Sequence, residues 1–400
     1  MPNLMHLTNK IALVVFFAYV AIYLNQVLKQ PNVGWDQLAY IACAELFHQS
    51  DIQVVHQTAY RAVEQGVSKE AYYELTHDVL EDDRGPRNYR AVMAANPDQF
   101  AQQLPFYQAR VGFTGIIYLL NQLGIEYVKA TAWLQVVSMF GVCVILIVWL
   151  SHYFIGAISS LVGIFILTMF QILPIAKNVG ADVLSGSLVF LAIYLILERD
   201  HLLLGCWLLV FSLLVRADNI VFCGILFPVL VWSSYRNHEG INIGVILCTV
   251  AALILYIGLN LWSSHYGWWQ LFHYTFVASN NTPAEVFPVF SLSLYIKTVL
   301  KEAAENFTAH PTISLLILFS MLYLLVTPLK QSLQSKRGLM VFSMLLTVAI
   351  HFLLFPSGSS RFFFAFYLVS AVIFISQLAK YIAYPHILKL RMAENVTAPF

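Results

Sequence analysis

Ten stretches of this chain are long, apolar and almost free of charge: residues 11–28, 130–150, 154–173, 183–197, 202–215, 219–235, 241–262, 312–328, 338–355 and 362–383. The hydrocarbon core of a bilayer is about 30 Å thick, and roughly 20 apolar residues cross it as a helix. A backbone surrounded by lipid must satisfy its own polar groups, so such runs become helices rather than isolated strands. The fold class that follows is an all-α polytopic membrane protein of about ten transmembrane helices. Run 202–215 is short and draws on its flanks or on a thinned bilayer. The first run has no small-residue cleavage site after it, so it reads as a retained anchor.

Composition agrees. Hydrophobic residues make up 59% of the 400 and charged residues 11%, against about 25% charged in a soluble domain. A net charge of +1 argues against a nucleic-acid partner, which needs a concentrated basic surface. The five cysteines, Cys43, Cys143, Cys206, Cys223 and Cys248, form no CxxC pair, metal spacing or disulfide framework. Most sit inside apolar runs and read as small buried hydrophobes.

Residues 105–125 (PFYQARVGFTGIIYLLNQLGI) decide the topology, because a span there would invert every later helix. Arg110, Gln108, Asn121 and Gln122 shorten its apolar core. With the N-terminus inside and 105–125 lying along the membrane surface, the short cytoplasmic loops receive Arg199, Arg236, Lys330, Lys336 and Arg337. The positive-inside bias selects that arrangement, with both termini cytoplasmic. The chain then reads as one membrane domain, 1–400, with a large external loop at 29–125 and a second at 263–311. Short external turns fall near 174–182, 216–219 and 356–361. No internal repeat is visible.

Loop 29–105 is too long for a connector. WDQLAYIACAELF, VVHQTAYRAV and KEAYYELTHDVL place apolar residues at helical spacing, which predicts short amphipathic helices on the membrane face. Asp36 stands eight residues after the first run, in GWDQLAY, with Tyr40 one turn further along the same face. It either caps a helix start or offers a carboxylate at the membrane boundary for proton transfer. Glu45, Asp51, Asp82 and Asp83 read as solvated loop charges.

Three cations, Lys177, Arg216 and Arg361, fall in external turns where positive-inside bias should exclude them. Each alone could snorkel as an anchor. Together they could surround an anionic head group, to which a guanidinium fork is suited. Asp182 opens the fourth run, where it complements the positive end of a helix, and Asp218 stands beside Arg216 as a candidate ion-pair partner. The aromatic segment HYGWWQLFHYTF reads as an interfacial belt. His265 and His273 lack a third metal ligand.

In order, these features resemble the GT-C superfamily of membrane glycosyltransferases, which use polyprenyl-phosphate-linked sugars. GWDQLAY is similar to the segment after the first span that carries a catalytic Asp, here Asp36. LPFYQARVGFTGIIYLLNQLG resembles the membrane-lying stretch before the second span, and NVGADVLSGSLVFLAIYLILE the acidic opening of the fourth, with Asp182. FPSGSSRFFFAFYLV resembles a late Arg-aromatic motif, with Arg361 facing the donor. The chain departs in having Val111-Gly112 where a Pro is usual near Arg110, and no second acidic residue of the first loop can be assigned.

The resemblance implies sugar transfer from a polyprenyl-phosphate donor to an acceptor hydroxyl of a glycan, lipid or protein, inverting the anomeric centre. Asp36 would be the base; Arg361, Arg216 and Lys177 would hold donor phosphate; Tyr40, Asp182 and Arg110 would contact substrate. No cofactor follows, and a divalent metal has no assigned ligands. The expected location is the bacterial inner membrane, with the site on the periplasmic side. The competing readings are a polymerase or ligase using lipid-linked oligosaccharide, and a transporter or flippase. A transporter would carry midplane charges and repeated halves.

Overall fold

The computed structural model describes residues 2–77, 88–238, 240–309, 311–327, 329–332 and 334–396. Among them the chain is helical throughout, and its β pairing is an isolated parallel bridge between Asn32 and Asn178. Six helices are long and apolar enough to cross a membrane: His6–Lys29, Tyr127–Ser151, Ala217–Arg236, Ile243–Trp262, Lys336–Leu354 and Ser360–Tyr381. Gly156–Met169, Leu202–Val215 and Thr312–Val326 are shorter apolar helices. The run at 183–197 lies on the 17-residue helix Asp182–Glu198.

Each of the ten apolar runs is therefore mainly helical, but among the described residues only six helices reach spanning length by themselves. Run 154–173 shows why. Its helix stops at Met169, Gln171 takes a left-handed φ of 50°, and a separate turn, Ile172–Ile175, follows. At 1.5 Å per residue, the remaining helix covers only ~21 Å. Segment 105–125 becomes two short helices, Pro105–Gln108 and Val111–Gln122. The longer covers ~18 Å, below the ~30 Å of a hydrocarbon core.

Two cores organise the molecule. Phe16, Leu146, Phe190, Leu209, Phe227 and Tyr367 belong to the core of the apolar bundle. Leu38, Tyr60, Met93, Phe100 and Phe113 belong to a second, built by the first loop over helix ends at Ala181 and Val215. That loop folds into a cap because its local signals agree. Asp51 accepts from the Gln53 amide at 2.9 Å, opening helix Ile52–Gly66, whose Val55, Ala59 and Val63 share one buried face. Ser68 and Asn96 cap the following helices Lys69–Thr76 and Pro97–Ala101 in the same way.

Glu45 differs from its expected solvated state. It is buried and accepts a 2.6 Å hydrogen bond from the Tyr127 hydroxyl, which fastens the cap to helix Tyr127–Ser151. Asp51 is exposed, in accord with expectation. Asp82 and Asp83 lie outside the described residues.

Two glycines allow the close helix approaches beneath the cap. A Cβ on Gly112 would stand 3.1 Å from the Leu214 carbonyl oxygen, and one on Gly186 would collide with the Phe364 ring. The first approach brings Val111–Gln122 against Leu202–Val215; the second brings Asp182–Glu198 against the last helix. At the other end of Asp182–Glu198, Glu198 pairs with Arg337 at 2.8 Å and accepts from Tyr153 at 2.7 Å. Seventeen residues separate these polar ends by ~24 Å along the helix axis. Charge therefore collects at both ends of the bundle and is thin between them.

Candidate functional site

Asp36, Tyr40, Arg110, Asp182, Arg216 and Arg361 line one cavity of about 890 Å³ between cap and bundle. They reach it because the apolar helices stop at a common level. Arg216 ends helix Leu202–Val215, Asp218 opens the next helix, Asp182 begins its own, and Arg361 follows Ser360 at the start of the last. His351 comes from the last turn of Lys336–Leu354. The cap supplies Asp36 and Tyr40 from Trp35–Glu45, with Tyr107 and Arg110 from the segment that follows.

The charges alternate along a continuous ladder. Asp36 Oδ2 lies 3.7 Å from Arg361 Nη1, and Arg361 Nε lies 3.4 Å from Asp182 Oδ2. Asp182 also pairs with Arg216. Arg216 Nε donates to Asp218 Oδ1 at 3.0 Å, and Asp218 Oδ2 meets His351 Nε2 at 3.1 Å. The Phe362 ring packs against both guanidinium groups, 4.5 Å from Arg216 and 5.1 Å from Arg361.

Exposure separates the members of this ladder. The Arg216 and Asp182 side chains are 9% and 12% exposed, whereas Arg361 and Asp36 are 33% and 35% exposed. The first pair is structural footing, and the second is what an incoming molecule would touch. Asp36 is further oriented by the Tyr107 hydroxyl, which donates to Oδ1 at 3.1 Å. That leaves Oδ2 toward Arg361.

Arg110 donates to the Tyr40 hydroxyl, and its guanidinium lies 5.3 Å from the Tyr40 ring centre and 5.4 Å from that of Tyr107. Burial opposes its charge, but Tyr40, Asp36 and Asp182 outweigh that and hold its pKa above the usual value. Burial pushes the Tyr40 and Tyr107 hydroxyls up, so both stay protonated and act as hydrogen-bonding groups. His265, also in the lining, is pushed down by burial and by Arg110. The lining holds Arg90, Arg110, Arg216 and Arg361 against Asp36, Asp182 and Asp218, an excess of one positive charge. An anion entering the cavity meets a favourable field.

Lys177 stands apart from this arrangement and corrects the expectation that it joins the other two cations. It does not line the cavity. Its ammonium lies 5.4 Å from the Tyr23 ring centre, and its carbonyl accepts from the Asn32 amide at 3.0 Å. The 32–178 bridge turns this segment toward the first helix. Of the two histidines noted in the second loop, only His265 lines the cavity. Among the described residues no three His, Cys, Asp or Glu side chains come together as a metal-ligand group.

Two residues escaped the sequence reading. Tyr107 lies within the quoted motif LPFYQARVGF, but nothing local aims its hydroxyl at a carboxylate 71 positions away. His351 is the lone titratable side chain of run 338–355, and an ionisable group within such a run is itself a signal. The Arg216–Asp218 pair was legible because the two residues are neighbours in VRADN.

No family model, no curated protein and no solved structure matches this chain.

Proposed function

We propose that the protein is a membrane glycosyltransferase that moves a sugar from a polyprenyl-phosphate donor to an acceptor hydroxyl. One observation carries the reading: an accessible carboxylate and an accessible guanidinium, Asp36 and Arg361, face each other in a large cavity at the end of an apolar bundle. In this reading all ten apolar runs traverse the bilayer, the short ones with help from their flanks. The cavity opens on the external, periplasmic side of a bacterial inner membrane.

The chemistry asks little more of the protein. Asp36 takes the proton as the acceptor oxygen bonds to the anomeric carbon. The bond from that carbon to the phosphate oxygen breaks, and its electron pair leaves with the lipid phosphate. The leaving group gains one negative charge, which Arg361 stabilises. Arg216 supports it from below, held by Asp182 and Asp218. A single displacement inverts the sugar carbon. The 3.7 Å separation of Arg361 from Asp36 is a loose pairing, so donor phosphate can draw the guanidinium away and free the base.

The test is a comparison of surface glycans, glycolipids and glycoproteins by mass spectrometry with and without the gene. Loss of one sugar in its presence-dependent position, restored by the purified protein with a polyprenyl-phosphate sugar, is expected; unchanged glycans and no turnover of any such donor would end the proposal. Sidedness is checked separately in intact cells. An impermeant thiol reagent should label Lys177→Cys and spare Lys336→Cys, the five native cysteines being buried. The opposite pattern would invert the topology.

A further inference from the structure

Within the second large loop, residues 286–296 (VFPVFSLSLYI) contain no charged side chain. Their large side chains are held outward rather than packed away: Val289 is 90% exposed, Phe287 63% and Leu292 60%. Gln270 ties the segment in place by donating to the carbonyls of Pro283 at 2.8 Å and Val286 at 2.7 Å. Phe290 also packs edge-on against Trp269, with ring centres 4.8 Å apart. An apolar ridge held so firmly in water would be a liability, since each large side chain forgoes about 1.5–3 kcal/mol of burial.

The helix that follows, Leu292–Ala309, carries two exposed stripes side by side. Leu292, Ile296 and Leu300 recur every four residues, and so do Lys297, Lys301 and Glu305. An apolar stripe flanked by a charged one is the pattern of a helix lying at a lipid–water boundary. The height of this helix is set by its contacts. The Tyr295 hydroxyl donates to the Leu353 carbonyl at 2.8 Å, and the Trp268 indole donates to the Leu354 carbonyl at 2.6 Å. Both acceptors are among the orphan carbonyls at the end of helix Lys336–Leu354. The ridge therefore stands level with the end of a membrane-length helix, beside the exposed Leu353.

We propose that segment 286–300 is a lipid-contacting rim, its apolar ridge immersed in the bilayer and its lysines at the head groups. The rim is one body with the cavity wall, because helix Trp268–Phe276, to which it is bound, contributes Trp268, Leu271 and Tyr274 to the cavity lining. It thereby fixes the cavity mouth at the height of the membrane boundary. The occupant is lipid rather than a soluble partner because the ridge prolongs the apolar surface of the membrane-length helix.

The experiment uses the full chain in phospholipid nanodiscs, with a nitroxide label on Val289→Cys, Leu300→Cys or Lys301→Cys. Collisions with oxygen, which concentrates in lipid, are compared with collisions with a water-soluble nickel chelate. At positions 289 and 300 oxygen should dominate several-fold, and at the neighbouring position 301 the nickel chelate should dominate. Nickel dominance at 289 and 300 would place the ridge in water and overturn the proposal. Protection from both reagents would mean that protein covers it, which overturns the proposal equally. Neither result depends on glycosyl transfer.

Discussion

Asp36→Asn should abolish turnover of a lipid-phosphate sugar while the protein folds and purifies as before. A positioned general base contributes roughly 10²- to 10⁴-fold, and the amide cannot take the acceptor's proton. Folding should survive because the side chain is 35% exposed and its ion pair with Arg361 is long at 3.7 Å. A pair that open to solvent contributes at most about 1 kcal/mol, and the Asn carbonyl can still accept from Tyr107. The assay is single-turnover transfer beside a thermal melt in the same detergent. An unchanged melt with wild-type turnover would remove Asp36 from the chemistry.

Arg361→Ala is expected to lower kcat by about 100- to 1,000-fold, the usual consequence of deleting one preorganised group that stabilises developing charge. KM for the donor should rise much less, because the leaving phosphate carries more charge in the transition state than in the ground state. Arg361→Lys should recover part of the loss, since it restores charge but not the planar fork that reaches Asp36 and Asp182. An effect confined to KM would make Arg361 a docking residue only. A wild-type kcat for the Ala variant would detach it from the reaction.

The two variants also distinguish the accessible pair from its footing. Removing Asp182 would leave buried Arg216 held by Asp218 alone, so the destabilisation should be smaller than the ~3–5 kcal/mol that follows when a buried charge loses every partner. In the proposed reaction Asp182 would act as a positioning residue, and a loss of activity in its variant would come with a loss of stability.

Much of the fold was legible in the sequence, because apolar runs and helical spacing act locally. All ten runs are mainly helical, and the apolar spacing of the first loop marked its short helices. The break at Gln171 was not legible, since a left-handed residue within an apolar run leaves no pattern. Nor was the burial of Glu45, whose partner Tyr127 lies 82 positions away.

The candidate site divides along the same line. By itself the sequence determined that charge would sit where hydrophobic runs end, because ionised groups are expelled from hydrocarbon. Asp36, Asp182, Arg216 and Arg361 could be found on that principle alone. Only the tertiary structure decided which ends meet. Close passage of helices at Gly112 and Gly186 brings these groups into one ladder, while the 32–178 bridge carries Lys177 away to Tyr23. A run's length says where its charge must stop along the membrane normal, and says nothing of its neighbours across the membrane plane. That second coordinate is set by side-chain packing.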